Sequence, residues 1–288
     1  MKIIKAIKDA TTFLELHTNQ SSQQCKIEAE EIFMFVFGVN KSRMYSSDTL
    51  LVSDQHLEHI YQILNKRKEN IPLSYLLKKH TFYKHNFYID ENVLIPRSET
   101  ESVIDKLLYM GDKLFINKNR CFFLDAGCGS GCVGITIANE RPEWKVYLSD
   151  MYMSSLAVAK KNMEICKYKN VHLICADWLT AFRSVVFDFI FSNPPYIPHK
   201  DTRVEKSVFL NEPHSSLYSG EDGLDDIRKI IKSSSKVLCD TAILFLENGI
   251  DQAEKIRQQL ELNDFTDICT HFDYNGHERF TSSRKIHG

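Results

Sequence analysis

The chain has 288 residues, of which 43% are hydrophobic and 26% are charged, and its formal net charge at pH 7 is -2. This composition is that of a globular protein and excludes collagen-like and disordered chains. The length predicts two domains, or one large domain with an extension. Because the charge is nearly balanced, no global field attracts nucleic acid or anionic lipid, and a nucleic-acid partner would need a local basic patch.

The sequence predicts a cytoplasmic protein without metal. No run approaches the ~18 apolar residues of a membrane span, and Lys2, Lys5 and Lys8 interrupt the apolar residues at the N-terminus. The eight cysteines form no CxxC pair, and the 11 histidines are scattered. We therefore expect reduced thiols, no disulfide framework and no metal site.

Residues 1–73 are predicted to form a small helical domain. Apolar residues recur at helical spacing before Gly38 and again before Pro72. Lys66, Arg67 and Lys68 end the last helix, where cations interact favourably with the helix dipole.

Residues 74–98 are predicted to form a hairpin linker, because aromatic and β-branched residues flank a polar turn at residues 84–86. From residue 99 to 288, strand-like and helix-like segments alternate. The predicted strands are residues 121–124, 145–148, 171–175, 187–191 and 242–246. Such alternation favours a mostly parallel α/β sheet, in which ligands bind beyond the carboxyl ends of the strands.

A glycine-rich loop follows the first of these strands. It contains Gly127, Cys128, Gly129, Ser130 and Gly131. Glycines allow a sharp turn and present backbone amides to a ligand near a helix N-terminus. Asp150 ends the second strand, where a carboxylate can bind ribose hydroxyls. Because Gly129, Gly131 and Gly134 also match the GxGxxG of dinucleotide enzymes, the loop predicts a nucleoside cofactor without deciding which one.

A stiff loop of Asn193, Pro194, Pro195 and Tyr196 follows the fourth strand. Two prolines fix φ and remove two donors, so the loop presents carbonyl oxygens without pairing in a strand. The Asn193 side-chain oxygen and the Pro194 carbonyl can accept both hydrogens of an amino or amide group, while Tyr196 packs on its flat face.

These two loops together resemble those of S-adenosylmethionine-dependent methyltransferases that act on planar nitrogen. The whole chain is similar to the HemK/PrmC family, the glutamine N5-methyltransferases of peptide chain release factors. The similar segments are residues 28–38, 72–76, 94–101, 220–224 and 246–249, with Asp273, Gly276 and Arg279. Two departures are Lys78, where the family usually has glycine, and Ser98, where it usually has proline.

The resemblance implies a fold and a substrate. Residues 99–288 would form a Rossmann-like class I methyltransferase domain with a mostly parallel, seven-stranded sheet. The methyl acceptor would be the glutamine of the Gly-Gly-Gln motif of release factors. The N-terminal helical domain would help to dock that protein, with no nucleic acid or membrane involved.

The resemblance also implies roles for individual residues. The glycine loop would hold the methionine portion of S-adenosylmethionine, and Asp150 its ribose. Trp178 would lie beside the adenine, with Asp177 near the exocyclic amine. Residues 193–196 would form the catalytic substrate loop, with Asn193 also close to the cofactor.

Three other functions are compatible with parts of the sequence. An adenine-N6 DNA or RNA methyltransferase would use the same loop on an exocyclic amine, but this chain lacks an evident basic patch. An NAD-dependent oxidoreductase would leave residues 193–196 unexplained. A non-catalytic binding protein would have no need of Asp150 and Asn193. Cys128 is interpreted as an unreactive thiol.

Overall fold

The computed structural model describes residues 2–46, 50–118, 120–166, 170–184 and 186–285. The chain divides into two compact units. The first comprises Met1–Lys79 with Lys206–Asn211, and the second His80–Glu205 with Glu212–Gly288. In the described part of the chain, no helix is long and apolar enough to cross a membrane.

Helices and strands follow one another along the chain in three stretches. Residues before the hairpin form α1 (Ile3–His17), α2 (Ser22–Phe37), α3 (Lys41–Ser46), α4 (Asp54–Lys68) and α5 (Leu73–Leu77). The following elements are β1 (His80–Phe82), β2 (His85–Phe87), α6 (Ser98–Glu101), α7 (Ile104–Lys118), β3 (Phe122–Ala126), α8 (Cys132–Glu140), β4 (Lys145–Asp150), α9 (Met153–Cys166), β5 (Val171–Cys175) and β6 (Phe187–Ser192). The remaining elements are α10 (Lys206–Asn211), a 3₁₀ turn (His214–Ser216), α11 (Asp225–Ser234), β7 (Leu238–Glu247), α12 (Ala253–Glu261), β8 (Phe265–Phe272) and β9 (Glu278–Lys285).

Local sequence signals start and stop the helices of the first unit. The Ser21 hydroxyl caps α2 by accepting a hydrogen bond from the Gln24 amide, and Gly38 ends the helix with a φ of 62°. This end is the one that the sequence predicts, because glycine adopts the left-handed conformation without steric cost. Apolar faces of α1, α2 and α4 then form one buried core.

The interpretation of Arg67 as an exposed cation at a helix end is wrong. Arg67 is buried, and its guanidinium donates to Glu28 from Nε to Oε2 at 2.8 Å and from Nη2 to Oε1 at 3.2 Å. Glu28 also accepts a hydrogen bond from Gln20 at 2.7 Å. The two charges are therefore a buried pair that ties α4 to α2, which the spacing of basic residues does not reveal.

The predicted hairpin is present, but its turn lies earlier than expected. Thr81 pairs with Asn86 in register, so residues 83 and 84 make the turn, with Tyr83 at a φ of 55°. Just before the hairpin, Lys78 has a φ of 51° and caps the C-terminus of α5. The residue that replaces the family's usual glycine thus keeps a glycine-like backbone conformation.

The second unit contains a seven-stranded sheet with the order β5-β4-β3-β6-β7-β9-β8. The first five strands in this order are parallel, whereas β9 is antiparallel to both β7 and β8. All five predicted strands are confirmed, with β7 beginning four residues earlier, at Leu238 rather than residue 242. The two antiparallel strands are the elements that the sequence pattern did not locate.

We expect Arg67→Met to lower the free energy of unfolding by about 3 kcal/mol, because it leaves the Glu28 carboxylate buried without its cation. Urea denaturation of the full chain, followed by far-ultraviolet circular dichroism, measures this loss. Lys66→Met on the exposed face of the same helix is the control and should shift stability by less than about 0.5 kcal/mol.

Adding Glu28→Gln to Arg67→Met should recover most of the lost stability, since no unpaired charge then remains buried. If Arg67→Met is as stable as Lys66→Met, the buried pair does not stabilise the helical unit.

Candidate active site

Three neighbouring strands end at the same edge of the sheet. β3 lies between β4 and β6, and Ala126 at its end pairs with Ser149 on one side and Ser192 on the other. The segments that follow these strands therefore meet at one edge, where they line a cavity of about 350 Å³. This location is where ligands bind in parallel α/β sheets.

Most of the predicted site residues line this cavity. They are Gly127, Cys128, Gly129, Ser130, Asp150, Trp178, Asn193 and Pro195, with Asp177 beside them. Gly131, Pro194 and Tyr196 are not part of the lining. The structure thus brings together the glycine loop and the beginning of the residue 193–196 loop, which are separated in sequence.

The glycine loop folds back onto the end of β4. The amides of Gly127 and Cys128 both donate to the Ser149 carbonyl, at 2.8 and 2.9 Å. Gly127 and Gly131 have φ values of 74° and 76°, which only glycine adopts readily. Gly131 then caps the N-terminus of α8, so the loop delivers a helix N-terminus to the edge of the cavity.

Trp178 forms a fixed wall of the cavity next to this loop. A Cβ atom at Gly127 would lie 2.8 Å from the indole ring, so glycine permits a close approach of the two residues. The indole Nε1 donates to the Asp226 carboxylate at 3.1 Å, which fixes the ring plane. A fixed aromatic face beside a glycine loop suits a flat heterocycle.

Asp150 is positioned by backbone amides. Its Oδ2 accepts from the Gly129 amide at 3.0 Å and its Oδ1 from the Tyr152 amide at 2.9 Å. Burial raises the pKa of the Asp150 carboxyl, and these two hydrogen bonds oppose that shift. Because each carboxylate oxygen can accept more than one hydrogen bond, both oxygens can still bind hydroxyl groups of a ligand.

Asp125 is a second buried carboxyl group in the lining, to which the sequence pattern assigns no role. Its Oδ2 accepts from the Gly134 amide at 2.9 Å. Burial raises the pKa of Asp125 to about 7, and the Asp150 charge contributes to the increase. A Cβ atom at Gly134 would lie 2.1 Å from the Leu148 side chain, so this glycine serves the packing of α8 on β4.

The Asn193 carboxamide is tied down at one end. Its Nδ2 donates to the Thr100 hydroxyl at 3.4 Å, and that hydroxyl donates to Glu247 Oε2 at 2.7 Å. Within the described residues, no group donates to Asn193 Oδ1 or to the Pro194 carbonyl oxygen. The two oxygens therefore remain available as acceptors for a ligand.

Tyr196 points its chemistry elsewhere. Its hydroxyl accepts from Arg279 Nη2 at 2.6 Å, and the guanidinium carbon lies 5.1 Å from the centre of its ring. Burial raises the pKa of Tyr196 to about 12. The expected packing of Tyr196 on the flat face of a substrate stays a prediction, since this ring does not line the cavity.

The Cys128 thiol is held in an unreactive state. It is buried beside Asp125 and Asp150, and burial together with these two carboxylates raises its pKa well above the usual range of a thiol. A thiol that stays protonated is a poor nucleophile. Across the described residues, no group of three or more His, Cys, Asp or Glu side chains could hold a metal ion.

Comparison with known proteins identifies the family. The family model of the methyltransferase small domain matches residues 111–220, and that of the PrmC N-terminal domain matches residues 5–77. The release factor glutamine methyltransferase of Buchnera aphidicola subsp. Baizongia pistaciae is 32% identical over 281 residues, which are 97% of this chain and 99% of the relative. The chain belongs to the release factor glutamine methyltransferase family.

Two further comparisons agree with this membership. The release factor glutamine methyltransferase of Escherichia coli (strain K12) is 28% identical over 92% of this chain and 94% of the relative. A methyltransferase from Pyrococcus furiosus of known crystal structure has a TM-score of 0.50 over 70% of this chain and 89% of its own, with 16% identity. That structural likeness concerns the fold alone and confirms the predicted Rossmann-like class.

Family membership decides between the cofactors that the glycine loop left open. The chain is a methyltransferase, and S-adenosylmethionine is its methyl donor. The cavity fits this molecule: it offers a carboxylate with free acceptor positions, an aromatic wall and a glycine loop at a helix N-terminus.

We expect Asp150→Asn to weaken the binding of S-adenosylmethionine at least tenfold, because a hydrogen bond to a charged acceptor contributes about 1.5–3 kcal/mol. Isothermal titration calorimetry measures the dissociation constant. Glu164→Gln, at an exposed residue on α9, removes the same charge; it is the control and should bind like the wild type. Equal dissociation constants for Asp150→Asn and Glu164→Gln would exclude a ribose-binding role for Asp150.

Proposed function

We propose that the chain transfers the methyl group of S-adenosylmethionine to the side-chain amide nitrogen, N5, of the glutamine in the Gly-Gly-Gln motif of peptide chain release factors. The relatives at 28% and 32% identity carry the name of this activity over nearly their whole length. The observation that carries the proposal is the Asn193 carboxamide, which lines the cofactor cavity with its oxygen unoccupied.

The cofactor-binding residues follow from the geometry of the cavity. The backbone of residues 127–131 holds the methionine portion, where the glycines permit close approach. Asp150 binds the ribose hydroxyls, and Trp178 packs against the adenine. Asp177 lies beside Trp178 and accepts from the adenine amine. When bound, S-adenosylmethionine supplies an electrophilic methyl group on a sulfonium sulfur.

Residues 193–196 hold the glutamine. An amide nitrogen is a weak nucleophile, because its lone pair is delocalised into the carbonyl, so it must be aligned with the methyl group. Asn193 Oδ1 and the Pro194 carbonyl accept the two hydrogens of the amide and stabilise the positive charge that develops on nitrogen. Both acceptors are positioned before the reaction, which makes their electrostatic effect large. Pro195 supports them as part of the cavity wall.

No dedicated base is required in this scheme. An N-alkylated amide cation is strongly acidic, so it loses its proton after methyl transfer to Asn193, a backbone carbonyl or water. The catalytic contribution of the chain is thus alignment and charge stabilisation.

The two parts of the chain have separate tasks in this proposal. Residues 99–288 catalyse the transfer, residues 74–98 link the parts, and the helical residues 1–73 help to dock the release factor. The match of residues 5–77 to the PrmC N-terminal domain supports that assignment. Because release factors act in translation, we place the reaction in the cytoplasm.

We expect Asn193→Ala to lower kcat by about 10²-fold or more, since one preorganised polar group typically contributes that much. The dissociation constant of S-adenosylmethionine should change far less, because the glycine loop, Asp150 and Trp178 are intact. Steady-state kinetics on an intact release factor and calorimetry measure the two quantities. Turnover close to that of the wild type would exclude Asn193 as the group that holds the amide.

The proposed function is tested by mass spectrometry of a release factor after incubation with the chain and S-adenosylmethionine. We expect one added methyl group, mapped by fragmentation to the glutamine of the Gly-Gly-Gln motif. A release factor with that glutamine replaced by alanine is the control and should remain unmodified. Methylation of another residue, or no methylation, would contradict the proposal.

A further inference from the structure

The Asn193 carboxamide can act as an acceptor only if it has one of its two possible orientations. With its oxygen toward the substrate it accepts from the glutamine amide, whereas after a flip its NH₂ group would face another NH₂ group. The carboxamide is nearly symmetric in shape, so packing alone selects poorly between these orientations. A hydrogen-bonding partner of fixed polarity is needed.

Thr100 is that partner. It lies in α6, is buried, and lines the cavity beside Asn193. Its hydroxyl has a single hydrogen, which is donated to Glu247 Oε2 at 2.7 Å. The oxygen of Thr100 can then only accept, and it accepts from Asn193 Nδ2 at 3.4 Å.

Glu247 fixes the direction of the Thr100 hydroxyl. An ionised carboxylate has no hydrogen to donate, so it forces Thr100 to be the donor. Glu247 is fully buried at the end of β7, and this end is adjacent to Asn193 because Leu246 pairs with Ser192 across the parallel strands. Its other oxygen, Oε1, faces the Arg279 guanidinium of β9 at 3.5 Å, which favours the ionised form.

We infer that Thr100 and Glu247 are positioning residues that set the orientation of the Asn193 carboxamide through a one-way chain of hydrogen bonds. Polarity passes from the acceptor-only carboxylate to the hydroxyl, and from the hydroxyl to the amide. This inference rests on the proposed function and adds to it the residues that make Asn193 selective for a carboxamide NH₂ group.

The protonation state of Glu247 gives the hydrogen-bond chain a pH dependence. Burial raises the pKa of Glu247 to about 7, although Arg279, the Thr100 hydrogen bond and Arg97 lower it. The charged or titratable groups facing it are Arg279 from β9, Arg97 and Glu99 at the start of α6, and Tyr196 from the loop after β6. Below this pKa, a protonated Glu247 can donate to Thr100, which removes the constraint on Asn193. Activity should therefore rise as the pH increases through about 7.

The first test compares Thr100→Val, Thr100→Ser and the wild type on an intact release factor. We expect Thr100→Val to lower kcat by about 10²-fold, as small misplacements of a positioning group do. The KM for the release factor and the dissociation constant of S-adenosylmethionine should stay nearly unchanged. Thr100→Ser keeps the hydroxyl and should restore most of the lost kcat.

Thr136→Val is the matched control. Thr136 is a fully buried threonine of α8 whose hydroxyl has no partner among the described residues, and it does not line the cavity. We expect its kcat to equal that of the wild type. A Thr100→Val variant with wild-type kcat, or a Thr100→Ser variant as impaired as Thr100→Val, would overturn the inference. Failure of the wild type itself to methylate would instead overturn the proposed function on which it rests.

The second test uses Glu247→Gln, which imitates the protonated carboxyl. We expect its kcat at pH 8 to be reduced and nearly independent of pH, whereas that of the wild type rises through about pH 7. An unchanged rise in Glu247→Gln would assign the titration to another group, such as Asp125, and would overturn the role of Glu247.

Discussion

Parallel pairing of β3 with both β4 and β6 is the constraint on which the site depends. Because neighbouring parallel strands end at the same edge, the glycine loop, Asp150 and Asn193 meet there although they are far apart in sequence. The reversal of strand order at β3 leaves a crevice between the outgoing loops, as expected for open α/β sheets. Both halves of the proposed reaction, donor binding and amide binding, share that crevice.

Hydrogen-bond polarity adds what the strand arrangement alone does not provide. The amides of Gly129 and Tyr152 hold Asp150 while leaving it acceptor positions, and Thr100 holds Asn193 by its NH₂ group while leaving its oxygen. In both cases a neighbouring donor or acceptor occupies part of a polar side chain and presents the remainder to the cavity. Preorganisation of this kind requires buried partners, and Thr100 and Glu247 are both buried.

The sequence predicted the elements that have a strong apolar period and the loops that have unusual composition. It missed β8 and β9, because the buried side chains of β9 include Thr281 and Ser283, which are not apolar. It also missed the roles of Thr100 and Glu247, since Thr100 lies 93 residues from Asn193 and 147 residues from Glu247 along the chain. A contact over such separations arises from the fold, and no local spacing announces it.

The central claim is that Asn193 accepts the glutamine amide while Thr100 fixes its orientation. A crystal structure of the chain with S-adenosylhomocysteine and a release factor tests it most directly. The account predicts that Asn193 Oδ1 lies about 2.9 Å from the glutamine side-chain nitrogen, with Nδ2 still on the Thr100 hydroxyl. A glutamine bound away from Asn193, or an Asn193 released from Thr100 in that complex, would contradict it.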